Sequence, residues 1–188
     1  MEQKVITNPI DGAGPAKRLL SNLFYGCGYN FYRSDNEFQE DDELIRGKLR
    51  QFLGDSRTHL RSLEAALRRE HRARMGGAYA FLDAAAVDSA RALLHAQRDL
   101  EAMEAVIGAA AAPQMHPVHR HHRPERSTLS RLVALDGEVL LALLTLRDAI
   151  AKLENGAAAA ARMASLLQAS DFDALWNRRE ALLSGGSG

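Results

Sequence analysis

Cysteine is nearly absent from this chain: Cys27 stands alone among 188 residues. No internal disulfide can brace the fold, and the composition suits a reducing compartment. Net charge is lacking as well, since Lys plus Arg and Asp plus Glu number 24 each. A balanced chain sets up no global field toward nucleic acid or an anionic membrane, so any electrostatic partner has to be read locally. The amino terminus, MEQKVITNPIDG, holds no apolar stretch of signal-peptide length, and the longest strongly apolar run, VLLALLTL at 139–146, is too short to cross a bilayer. A cytoplasmic protein without a membrane span is the expectation. Proline is missing altogether between Pro15 and Pro113, which leaves long helices unobstructed.

Within that proline-free interval apolar residues recur every three or four positions, the period of a helix, and no strand pattern competes. Ser34 followed by Glu37 is a capping-box start. Phe38, Ile45, Leu49, Phe52, Ser56, Leu60, Leu63 and Leu67 then form one seam. A helix over about 35–72 would be roughly 57 Å long, and a seam of that length predicts association with a second copy or with a partner helix. Acidic residues crowd its first turns, while Arg68, Arg69, His71 and Arg72 crowd its last, as the macrodipole favours. MGGAYAF at 75–81 interrupts it. Asp83 can cap a second helix to about residue 110, with a seam of Ala86, Ala90, Leu93, Gln97, Leu100 and Ile107.

The stretch 113–126 holds three prolines and reads as a loop. A third helix is expected over about 127–154, apolar around most of its middle, with Asn155-Gly156 as its stop. AAAAARMASLLQ and DFDALWNRREALL follow as one kinked or two short helices, capped between them at Ser170. The expected fold is all-α: an antiparallel helical bundle of three to four long helices over 35–183, behind an aromatic-rich non-helical arm at 1–34. SGGSG at 184–188 reads as a flexible tail.

Four features carry candidate chemistry. FYGCGYNFYR at 24–33 concentrates the aromatics: Phe24, Tyr25, Tyr29, Phe31, Tyr32 and Phe38 are six of eleven in the chain. Such residues anchor interfaces, and they equally cap the end of a bundle. GCG lacks the preceding strand and third glycine of a dinucleotide loop. Cys27 has no histidine near it in sequence to activate it as a nucleophile. On the first helix, Arg46, Arg50, Arg57, Arg61, Arg68 and Arg72 alternate at spacings of four and seven, so they share an arc of roughly 80° beside the seam. This arginine stripe reads as a solvated flank or as a rail for an acidic helix, a phosphate backbone or a second subunit.

Asp136 and Arg147 stand near the centre of the third helix's apolar face, roughly 16 Å apart along the axis. Each needs a partner on another helix, and an arginine of the first helix is the expected partner of Asp136. Finally, His116, His119, His121 and His122 share one loop that could take zinc, copper or nickel, although cysteine or carboxylate ligands that would close such a site are few. No Glu-x-x-His pair, catalytic triad or phosphate loop appears.

The sequence thus points to a protein-binding accessory, adaptor or assembly subunit without a cofactor, acting through the arm and the arginine-flanked first helix on a protein partner or on itself. A small metal-binding protein or metal chaperone using 116–122 is the first alternative. A helical enzyme built on Asp136 and Arg147 is the second.

Overall fold

The computed structural model describes the backbone of residues 35–74, 83–110 and 123–184, and the side chains of 42–73, 83–110 and 131–184. The described chain is all-α. Its helices are α1 (Asp35–Arg74), α2 (Ala84–Ala109), α3 (Arg123–Ala151), α4 (Gly156–Ala169) and α5 (Phe172–Leu183). No strand occurs among the described residues, and no helix there is long and apolar enough to cross a membrane. The arm at 1–34, Cys27, the 75–82 break and the histidine loop lie outside the described residues.

Helix boundaries follow local chemistry. Asp83 is extended (φ −66°, ψ 164°), and its Oδ1 accepts the Ala86 N–H at 2.7 Å, the expected cap of α2. Helix α3 begins earlier than its prolines suggested. Pro124 occupies its first turn, where a missing N–H costs nothing because no intrahelical acceptor is due there. The Asn155-Gly156 pair works differently from a stop. α3 ends at Ala151, and Asn155 opens α4 by accepting the Ala157 and Ala158 N–H groups at 2.9 and 3.1 Å. Ser170 closes α4, its N–H directed at the Leu166 and Leu167 carbonyls. Asp171 then takes a left-handed conformation (φ 49°) that turns the chain into α5.

The chain divides into two compact units. Among the described residues, one holds 35–43, 123–141 and 174–184, and the other 44–74, 83–110 and 142–173. In the second unit α1 and α2 run antiparallel: Arg46 reaches the Ala110 carbonyl, Arg57 meets Glu101 and Glu104, and His71 meets Asp83. The α1 seam is covered within the chain. Ile45, Leu49 and Leu60 are fully buried, with Phe52, Leu53, Ser56 and Leu63 nearly so. A second copy is therefore not needed to cover these seven residues; Leu67 is half-buried, and the side chain of Phe38 lies outside the described residues.

α2 packs on α4, burying Ala86, Ala90, Leu93, Ala96, Leu100 and Ile107 on its side and Ala159 and Met163 on the other. Ala96 takes the core position that the seam pattern gave to Gln97, which is only half-buried. α4 also approaches α1 closely at its first residue. A Cβ at Gly156 would lie 2.9 Å from the Leu67 Cβ and 3.0 Å from the Leu63 carbonyl oxygen. Neither neighbour is the free end of a flexible side chain. Gly156→Ala is expected to destabilise by about 1–3 kcal/mol through overpacking, although alanine normally favours a helix. Thermal melting checks this: a variant as stable as the wild type would mean that α1 and α4 separate freely.

Candidate functional site

Two polar systems stand out, one in each unit. In the first unit a guanidinium is enclosed. Arg179 on α5 donates from Nε to Asp136 Oδ1 of α3 at 2.7 Å and from Nη2 to Asp42 Oδ1 of α1. All three side chains are 1% exposed or less. The guanidinium also lies over the Trp176 ring, 4.9 Å from its centroid, and Nη1 reaches Glu180 at 3.3 Å. Burial by itself would lower the pKa of Arg179. The charges and hydrogen bonds of Asp136 and Asp42 outweigh burial and hold it above the ordinary arginine value. A group held above its unfolded value contributes stability below that value and loses it only as pH rises beyond it, so this contribution is constant through the neutral range.

Asp136 is thus buried and paired, as its place on the apolar face implied, and Arg179 of α5 is a partner that the sequence did not suggest. The helical period nonetheless marks it. Phe172, Leu175, Trp176 and Arg179 fall on one buried stripe of α5, so the arginine was legible as an inward residue from its spacing to the aromatics. Asp42 was obscured by its place in the acidic run, where the helix dipole already accounts for it.

Arg147 departs from expectation. Its side chain is 30% exposed and forks onto the adjacent Asp148 at 2.6 and 3.0 Å. The guanidinium covers the buried Phe52 ring of α1 at 4.7 Å from the centroid, and Lys48 Nζ lies 5.5 Å from the same ring. A long stem explains the difference: it spans the apolar face while the charged head reaches water. Asp136 and Arg147 each have a different partner, and the structure assembles no acid-base pair from them.

The arginine stripe forms the second system, and the structure splits it. Arg57 donates from Nη1 to Glu104 at 2.6 Å and approaches Glu101 at 3.5 Å, while Arg50 lies 3.9 Å from Glu104. Arg46 donates to the Ala110 carbonyl at 2.8 Å, where it meets the negative end of α2. The stripe's amino half is a rail for an acidic helix, and that helix is the chain's own α2. Arg46 and Arg57 are accordingly half-buried rather than free for a partner. In the carboxyl half Arg68 pairs with Glu64 on its own helix. Arg61, Arg69 and Arg72 are exposed and make no ion pair among the described residues.

At the α1–α2 corner His71 is 8% exposed, and its Nε2 accepts the Asp83 N–H at 3.1 Å. A cavity of about 170 Å³ borders it, lined also by Glu70, Ser89 and Ala157. No group of three or more metal-type side chains converges among the described residues. The aromatic residues Phe24, Tyr25, Tyr29, Phe31 and Tyr32, and the histidines His116, His119, His121 and His122, lie outside them. No family model, curated protein or solved structure matches this chain.

Proposed function

We propose that this protein is an accessory or assembly subunit that binds another protein along the carboxyl half of α1, with the aromatic arm at 24–33 as a second contact. One observation carries the reading: among the described residues, the arginine stripe is matched by carboxylates over Arg50 and Arg57 and left exposed and unpaired at Arg61 and Arg72, with exposed Arg69 flanking it. Arginine's planar fork recognises carboxylates in pairs, and exposed arginines contribute little to folding, commonly under about 1 kcal/mol each. Their contribution is to complementarity and association rate.

Arg61→Gln/Arg69→Gln/Arg72→Gln is expected to keep the helical circular dichroism signal and to lose a partner captured by the untagged wild-type chain from its native host. Glutamine keeps helix propensity without placing negative charge at the helix end. Unchanged capture by the triple variant would refute the assignment of this face.

A further inference from the structure

We infer that the partner element is an acidic amphipathic helix whose carboxylates stand three residues apart, docked along Arg61, Arg69 and Arg72; this rests on the protein-binding reading above. The chain itself contains the template. Glu101 and Glu104, three apart on α2, both address Arg57, and Glu104 also faces Arg50. Leu94, Gln97, Glu101 and Glu104 lie on one ridge of α2 by helical spacing. The ridge therefore changes, toward the start of α2, from carboxylate to amide to leucine.

α1 does not change in step. The antiparallel register set by Arg57–Glu101 and His71–Asp83 places Gln97 and Leu94 level with the Leu60–Leu63 turn, beside Arg61. Where a third carboxylate would complete the ladder, Gln97 presents an amide whose Nε2 is buried without a hydrogen-bond partner. Leu94 is 38% exposed. The acids stop while the arginines continue, and by the same register the exposed Leu94 stands level with Arg61, the first of the arginines left over.

An incoming helix with one acidic and one apolar face fits that arrangement. Its apolar face would rest on Leu94 and its carboxylates would meet the arginines, as α2 does one turn further along. A phosphate backbone fits less well. Glu64 interrupts the basic face, and the chain carries no net charge to support nonspecific binding.

The test titrates the full chain at low salt against a labelled alanine-based helical peptide with glutamates at i, i+3 and i+7 and leucines on the adjacent face. A proline-broken peptide of otherwise matched composition and a DNA duplex serve as competitors. Saturable binding of the helical peptide is expected, weakened at least about tenfold by Arg61→Gln/Arg69→Gln/Arg72→Gln and measurably by Leu94→Ala. Equal binding of the broken peptide or the duplex would reduce the face to a polyanion surface and overturn the inference. So would a peptide affinity indifferent to the triple change. If the peptide fails to bind while capture of the native partner still depends on the three arginines, the acidic-helix inference falls and the protein-binding reading stands. Capture that ignores the arginines removes that reading itself.

Discussion

Arg179→Met is expected to destabilise the protein by about 3–5 kcal/mol, because it strips the cation from between two enclosed carboxylates. Asp42 and Asp136 are both fully buried, and both bond to this one guanidinium. Methionine nearly fills the volume and keeps the contact with Trp176, so the loss is electrostatic rather than a matter of packing. Arg179→Lys should also cost stability, since one ammonium cannot reproduce a planar fork divided between two helices. Asp42→Leu/Asp136→Leu/Arg179→Met should recover much of the single variant's loss, as apolar replacements of buried ion networks commonly do. Denaturant unfolding of the three variants decides. An Arg179→Met protein with the wild-type midpoint would show that the network is dispensable.

Phe52→Ala should cost a comparable amount, about 3–5 kcal/mol, by opening a cavity where the ring is 1% exposed. Phe52→Leu retains most of the volume and should cost less than half as much. For a chain of this size a kilocalorie corresponds to roughly 2–4 °C of melting temperature, so the alanine variant should melt on the order of 10 °C lower. Arg147 and Lys48 both lie over this ring, and each would lose a cation–π contact that contributes about half a kilocalorie or more. If leucine and alanine prove equally harmful, the cations rather than the volume determine the cost.

Much of this architecture was legible because helical periodicity is a local signal. The α1 seam, the Asp83 cap and the Ser170 turn all depend on residues within a few positions of one another, so spacing sufficed. Spacing could not disclose which helix faces which. The stripe from Arg46 to Arg72 was readable as a stripe, but that α2 neutralises its first half depends on an antiparallel register fixed by long-range packing. Arg147 shows a related limit. A position on an apolar face specifies where the stem lies, whereas an arginine head can extend several ångströms away to water. Asn155-Gly156 was misread because asparagine serves equally as a cap at a helix start, and the glycine is required by the approach of Leu67.

The two imidazoles described on α1 must carry their protons on opposite nitrogens. His59 Nε2 lies 2.8 Å from the Leu153 carbonyl oxygen, which can only accept, so the proton sits on Nε2. His71 Nε2 receives the Asp83 N–H, so in its neutral ring the proton sits on Nδ1. Twelve residues apart on one helix, the same side chain is a donor at one end and an acceptor at the other. An imidazolium suits the first role and cannot perform the second. One imidazole thus ties the middle of α1 to the carbonyl of Leu153 beyond the end of α3, and the other ties its last turns to the residue that caps α2.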